Sequence, residues 1–599
     1  NAWFEMSKQK LQPIIDRVTS LRAASRDPTN ADLQKTKLEQ ALAHKLRNIA
    51  VREAKSIYMS HIAEKISTLT GENTRTMWEA VKDCKLGHEI NYLRPQNMSL
   101  TLADGARATN DKENMSVMQA HCQKLFNNRK EVSPDALDHI TQREVEPSLD
   151  DPLTWKEFTR AINGLKNNKS PGENEIPAEA FKAMNNDHRN RVFSFINSFW
   201  NNTSDFPEWH TGRGVPVQKV PHPTTPNQYR IVNLMDVGSK IFSRILTARL
   251  YTLLEKHGTK YQFGATPHSG CQDGNFTLKT LLHLQRQHNL ETFVVFADLV
   301  KAFDTSDHLL IASILEKYGA PPKFSHAIER LYTDLRVTLK IGKESTEIEQ
   351  TVGVRQGDNL SPVIFLFVMT AFAEILEKKW TLANIPRVEA EHAPLNKLHR
   401  GQLTGHTRPK QKAGSTTNVT QVLFLDDSGF PFNSKDDATK GTKLIRETFL
   451  SLGLEMHCGN NQNPKSKTEI LWIPAPSFYK QTPSDNAILP PTNASLPNSA
   501  HDPTNPAMDT TDDEDEYTEQ VYTLSLAEQK SRHLTFYTMS QQQREQLYWD
   551  SPTTKRIHID DESFIDFTAH FKYLGSFISF DLTDDKDIKN RITKANQAM

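Results

Sequence analysis

The chain has 599 residues, 37% hydrophobic and 24% charged, with a net charge of −1. That length suits several domains or one large multi-lobed enzyme with a sizeable core. The overall charge gives no sign of a nucleic-acid partner, and four widely spaced cysteines without a CxxC pair argue against a disulfide framework or zinc knuckle and fit a reducing compartment. Residues 476–535 hold ten acidic and three basic side chains, so the rest of the chain carries +6, which permits phosphate binding. No signal peptide opens the chain. The most apolar run, PVIFLFVMTAFAEIL at 362–376, falls short of the roughly 20 residues a membrane span needs and reads as a buried helix. Asn1 at the start and Met599 inside a helical pattern read as the ends of a piece of something longer.

In chain order, residues 35–70 place Leu38, Leu42, Leu46, Ile49, Ile57, Ile62, Ile66 and Leu69 at mostly helical spacing, which predicts an amphipathic helix or helix pair. Residues 95–150 read as polar and irregular. From Asp151 to about Pro474, apolar segments and turn signals alternate in mixed periods, predicting an α+β core. Residues 389–420, poor in apolar side chains, read as an exposed loop. Residues 476–535, with TTDDEDEYTE and many Pro, Asn and Thr, have the composition of a disordered insertion. Order resumes by Ile557.

Two strands end in carboxylates. FVVFADLVKAFD at 293–304 is a β-prone run closed by Asp298, and VLFLDDSGF at 422–430 closes with Asp426 and Asp427. Asp298 alone reads equally as a helix N-cap, and Asp-Asp-Ser-Gly alone reads as a hairpin turn. If the two strands are sheet neighbours, the three carboxylates converge. They would then repel one another unless cations neutralised them.

FADLVKAFD resembles the first palm motif of reverse transcriptases, and FLDD at 424–427 resembles their Tyr/Phe-x-Asp-Asp motif. RQGDNLSPVIF at 355–365 is similar to the signature between them in reverse transcriptases of non-LTR (LINE-type) retrotransposons. LKNNKSPGENEIPAE at 165–179, VPVQK at 215–219 and YRIVNLMDVGSKIFSRIL at 229–246 resemble the fingers segments of that family. QFGATPHSGCQDGNF at 262–276 resembles the segment before the first palm motif. NPKSKTEIL at 463–471 resembles the palm motif with a lysine, and FKYLGSFIS at 571–579 the primer-grip hairpin. These strings stand in the family's order over about 165–580.

The resemblance implies a right-hand polymerase, fingers and palm with the start of a thumb, preceded by a helical region. The expected domains are 1–150, helical and lying between a missing endonuclease and the polymerase; 151–475, fingers and palm with a loop insertion at 389–420; 476–535, an acidic insertion; and 536–599, primer-grip hairpin and start of thumb. It further implies that Asp298 and Asp426 ligate two Mg²⁺ ions, with Asp427 completing the cluster. These ions would clamp the attacking and leaving oxygens as a DNA primer on an RNA template takes up dNTPs. Lys219 and Arg230 would meet the triphosphate, Gln356 and Gly357 the nascent base pair, and Phe303 the sugar. Lys467 would protonate pyrophosphate, and Tyr573, Leu574 and Gly575 would position the primer end. An intracellular ribonucleoprotein without a membrane is implied.

Three departures stand out: Asn174 where the family has Asp, Leu425 between Phe424 and Asp426 in place of a small residue, and no proline in YRIVNL. Ser306-Asp307-His308 matches a tripeptide of the elements' endonucleases, but inside this segment it reads as a helix start. The alternatives are an RNA-directed RNA polymerase, in which the fifth residue after Asp298 would be Asp rather than Phe303, and a palm that binds RNA without catalysis.

Overall fold

The computed structural model describes residues 7–25, 32–67, 98–392, 415–480 and 539–598, together with Glu5. They divide into two compact units, Asn1–Asn97 with Ile588–Met599, and Met98–Asp587. In the first, helices α1 (Lys8–Ala24) and α2 (Leu33–Ser67) pack on each other through Leu11, Val18, Ala43 and Ala54. The long helix expected over 35–70 is α2, although Leu38, Leu42, Leu46, Ile49 and Ile57 remain exposed on it.

The second unit begins at Met98, so the boundary expected at 150 does not coincide with the division between units. Residues 95–150, expected to be irregular, contain helix α3 (Asp111–Phe126), started by the Asn110 side chain accepting from the Glu113 amide at 2.9 Å. Its Met115, Met118, Cys122 and Phe126 recur at helical spacing and bury against a four-stranded sheet. In that sheet β1 (Thr211–Gln218) pairs antiparallel with β2 (Tyr229–Met235). Strand β3 (Thr292–Ala297) belongs to the larger sheet, while β4 (Arg336–Ile341) and β5 (Glu344–Glu349) complete the smaller in the order β2-β1-β4-β5. Tyr229, Val337, Leu339, Ile341 and Ile348 form its apolar face toward α3.

Asn174 answers one departure. Its side-chain amide donates to the Asp236 carboxylate. Asp236 in turn caps helix α4 (Val237–His257) by accepting from the Gly238 amide at 2.6 Å. An aspartate at 174 would face Asp236 with a second negative charge, whereas asparagine supplies the donor the pair needs.

The larger sheet carries the candidate site. Beyond helix α5 (Cys271–Gln287) and β3 come helix α6 (His308–Lys317), helix α7 (Leu360–Leu382), the pair β6 (Val388–His392) and β7 (Ser415–Val419), and then β8 (Val422–Phe424) and β9 (Asp427–Phe432). Helix α8 (Lys435–Ser451), β10 (Gly459–Asn460) and β11 (Glu469–Ile473) follow. Helix α9 (Gln541–Asp550), β12 (Ile557–His558), β13 (Ser563–Thr568), the hairpin β14 (His570–Tyr573) and β15 (Ser576–Ser579), and helix α10 (Asp585–Ala598) close the chain. The sheet order is β10-β13-β11-β3-β9-β8, with β12 on β13.

Strand β3 is central, antiparallel to both β11 and β9, and every one of its residues is buried. A strand apolar on both faces belongs in that position. Pro431 in β9 lies past the short β8, so its missing N–H removes no bond from that ladder. The apolar run at 362–376 is the middle of α7, which is long and apolar enough to cross a membrane but is mostly buried. Phe372 of α7 stacks on Phe449 of α8 with ring centroids 3.8 Å apart. Two expectations about loops change. The stretch 389–420 opens and closes on a two-stranded ladder, Val388↔Val419 to His392↔Ser415, while 393–414 lies outside the described residues. The stretch 476–535 opens on a short 3-10 helix, Pro476–Lys480, and the remainder lies outside the described residues. Asp307 accepts from the Leu310 amide at 3.0 Å and caps α6, the helix start read from the sequence.

Candidate active site

The register Ala297↔Ser428 between β3 and β9, carried one residue further, sets Asp298 opposite Asp427. The two carboxylate-ended strands are therefore sheet neighbours. Between Phe424 and Asp427, which pair, only Leu425 and Asp426 form the loop, so Asp426 sits at the hairpin tip and Asp427 opens β9. Leu425 stands at φ 56°, a left-handed backbone costing about 1–2 kcal/mol for a residue with a Cβ.

Asp298 is held by its backbone: its amide donates to Thr468 Oγ1 at 3.1 Å, and its carbonyl accepts from the His457 amide at 2.8 Å. Its carboxylate lies 3.6 Å from Lys467 Nζ. Burial, followed by the charge of Asp298, pushes the Asp426 carboxyl up, while Arg230 acts in the opposite direction. Asp427 is pushed up to about 6 by desolvation and then by Asp426 and Asp298. Asp427 is itself solvent-exposed, so the two neighbouring carboxylates are the part that bears on the site.

Among the described residues, no group of three or more His, Cys, Asp or Glu side chains is drawn together as a metal cage. The donor chemistry of this centre nevertheless fits hard divalent cations. Three carboxylates lie at the ends of neighbouring strands, all their donors are oxygen, and they repel one another, with Lys467 and Arg230 as nearby cations.

Of the remaining expected residues, Arg230 is near enough to act on the Asp426 charge. Lys219 and Arg230 are exposed on the smaller sheet, with Lys219 Nζ 3.2 Å from the Asn227 carbonyl. Phe303 is half-buried and stacks on Phe365, centroids 4.4 Å apart. Gln356 donates through Nε2 to Asp304 Oδ1 at 2.7 Å, and its carbonyl accepts from the Asn233 amide at 2.7 Å. Gly357 has φ 118°, and a Cβ there would lie 2.7 Å from the Asn233 carbonyl oxygen, so this glycine is demanded by β2. Tyr573 is buried and donates to the Val422 carbonyl at 2.7 Å, anchoring the β14–β15 hairpin to β8. Leu574 and Gly575, at φ 46° and 85°, are its two-residue turn, and Gly575 is exposed.

The sequence reading did not single out several residues that build this site. Asp304 binds Gln356, and burial pushes its carboxyl up. Thr468 and His457 fix the Asp298 backbone. Arg355 and Asp358 form a buried pair at 2.8 Å behind the Gln356-Gly357 loop, and Arg355 also donates to the Trp209 carbonyl at 3.1 Å. Asp304, Arg355, Asp358 and Thr468 were marked in the sequence only by lying inside motif strings, and His457 by nothing.

A half-buried Asp426 at a hairpin tip, an exposed Asp427 beside it and a third carboxylate at the neighbouring strand end, flanked by cations, fit a palm-type nucleotidyl-transfer site. Residues 217–467 match the family model for reverse transcriptase (RNA-dependent DNA polymerase). That stretch holds both carboxylate-ended strands, so this part of the chain is similar to reverse transcriptases, and the relatives it resembles are retrotransposon proteins. Over 426 residues it is 22% identical to the uncharacterized 149 kDa protein of transposon TX1 from Xenopus laevis, covering 64% of this chain and 30% of that protein. It is 30% identical over 145 residues to the Pol polyprotein of the type-2 retrotransposable element R2DM from Drosophila melanogaster, 24% of this chain and 14% of the relative. With the probable RNA-directed DNA polymerase from transposon X-element of the same fly it shares 24% identity over 313 residues, 49% of this chain and 32% of the relative. The chain thus spans less than a third of the length of each. The domain implies a polymerase palm-and-fingers fold, and the family works on template, primer and nucleotides with divalent metal ions.

Proposed function

We propose that this chain is an RNA-directed DNA polymerase that extends a DNA primer on an RNA template during retrotransposition. The observation that carries the reading is the pairing of β3 with β9, which sets Asp298 beside Asp426 and Asp427 within a reverse transcriptase domain. The larger sheet acts as palm, the smaller sheet with α3 as fingers, β14–β15 as primer grip and α10 as the start of a thumb.

The reaction is attack of the primer 3′-hydroxyl on the α-phosphorus of a dNTP, with pyrophosphate leaving. Asp298 and Asp426 would hold two Mg²⁺ ions, with Asp427 adding negative charge. Bound there, the ions would supply Lewis-acid stabilisation of the attacking and leaving oxygens. Lys219 and Arg230 hold the triphosphate, Arg230 through its planar multi-donor fork. Phe303, backed by Phe365, presents a ring to the sugar that excludes a 2′-hydroxyl and offers it no hydrogen bond. Gln356, fixed by Asp304, and the close backbone of Gly357 form the floor under the new base pair. Lys467 delivers a proton to pyrophosphate once the Asp298 carboxylate is otherwise engaged. The primer end meets the Leu574-Gly575 turn at its exposed Gly575, since the Tyr573 ring is buried.

The test is primer extension on a defined RNA template with dNTPs and Mg²⁺. Template-dependent DNA product that disappears on chelation and is not made from ribonucleotides is expected. RNA product from ribonucleotides at comparable efficiency would overturn the reading.

A further inference from the structure

The segment Gln262-Phe263-Gly264 matches the family's order, yet the reaction above gives it no task. In the structure it runs beside β8, a strand of three residues whose outer edge no other labelled strand covers. The Leu423 amide donates to the Tyr261 carbonyl and the Phe263 amide donates to the Leu423 carbonyl, both at 2.9 Å, a parallel bridge at Gln262. The Gln262 side chain, 6% exposed, then reaches past the end of β8 to the turn. Its Oε1 accepts from the Leu425 amide at 2.9 Å and from the Gly264 amide at 2.9 Å. Its Nε2 lies 3.5 Å from the Leu425 carbonyl, a longer contact.

We propose that Gln262 is a positioning residue for the catalytic carboxylate turn: its amide oxygen holds Leu425 in the left-handed conformation that aims Asp426. The inference rests on the reading of this turn as catalytic. Three features of the residue choice follow. Asparagine is one methylene too short to span from the bridge to Leu425. Glutamate would accept both bonds but add a fourth negative charge to a site that already holds three. Gly264 is needed because a Cβ there would lie 2.6 Å from the Leu425 nitrogen and 2.9 Å from the Phe424 carbonyl carbon. On its other side β8 is tied by the Tyr573 hydroxyl, so the strand bearing the turn is fixed from two directions while its own ladder is only three residues long.

The substitution that isolates the claim is Gln262→Met, which keeps length and volume and removes the acceptor. Leu425 and Gly264 amides should exchange hydrogen faster, read by mass spectrometry on peptides covering 262–270 and 421–430, while exchange elsewhere is unchanged. In primer extension, kcat should fall by about 10²-fold, as for a misplaced catalytic group, with KM for dNTP within about twofold. Gly264→Ala, which keeps Gln262 but presses on the Leu425 backbone, should reproduce the kcat loss and serves if Gln262→Met fails to fold. Unchanged exchange at Leu425 together with unchanged kcat in the folded variants would overturn the proposal, as would equal loss of kcat and dNTP affinity with faster exchange throughout. Amide exchange needs no catalysis, so a wild-type protein that extends no primer would count against the polymerase reading alone.

Discussion

Two hairpin tips in this protein have the same length and the same first residue but opposite designs. Leu425-Asp426 joins β8 to β9 and Leu574-Gly575 joins β14 to β15; each is a two-residue loop that begins with a leucine at positive φ, 56° and 46°. The second tip follows turn chemistry. Glycine takes the next position at φ 85° with open space around it, and Asn275 Nδ2, 3.3 Å from the Leu574 carbonyl, adds one light tie. The first tip gives up the glycine for an aspartate whose charge is opposed by burial and by Asp298. It needs a buried glutamine, a glycine at 264 and the Tyr573 hydroxyl to hold it. A turn that only turns carries its own solution, whereas a turn that bears a charged group is held from outside.

The comparison can be broken at either tip. The largest effect is expected for Asp426→Asn, since asparagine is as good a turn former: primer extension should fall by about 10³-fold or more while denaturant unfolding is unchanged. Gly575→Ala puts a Cβ at a left-handed position and should cost about 1–2 kcal/mol in chemical denaturation, with extension reduced much less than at Asp426. The smallest effect belongs to Leu425→Asn. Asparagine tolerates the left-handed region, and the packing lost offsets the strain relieved, so stability should stay within about 1 kcal/mol. Extension should persist, because the Gln262 bond goes to the backbone of residue 425. A collapse of activity in Leu425→Asn with stability intact would show that the leucine side chain itself aims Asp426.

How much of this was legible in the sequence depended on whether a signal was local. β3 and β8 announce themselves as apolar runs closed by aspartate, and α7 by the apolar run 362–376 at its middle, while its full length of 23 residues shows only in the structure. α3 was missed because Met115, Met118, Cys122 and Phe126 are spread among Lys, Asn, Gln and His, and their partners Val337, Leu339 and Ile348 lie some 200 residues away. The ladder β6–β7 was read as loop, since neither strand has a run of apolar residues and each is recognisable only by its partner. β13 joins the larger sheet parallel to β11 across the segment 481–538, a crossover with no local signature. Within the site, the aspartates were legible because two adjacent charges after an apolar strand demand a reason. Gln262 was not, because a single glutamine before Phe-Gly becomes informative only when Leu425 is found beside it. Tyr573 was read as primer grip from its motif, and its hydroxyl bond to Val422 is visible only in three dimensions.

The most direct measurement is on Asp426→Gly, which would give the first tip the design of the second. Denaturant unfolding and primer extension on an RNA template should be measured on the same preparation. If the carboxylate is there for chemistry, the variant stays within about 1 kcal/mol of the wild type, because losing a carboxylate disfavoured by burial and by Asp298 offsets the entropy cost of glycine, and it makes no extended product. Extension at the wild-type rate by the folded variant would mean that Asp426 is a turn residue and would contradict the account.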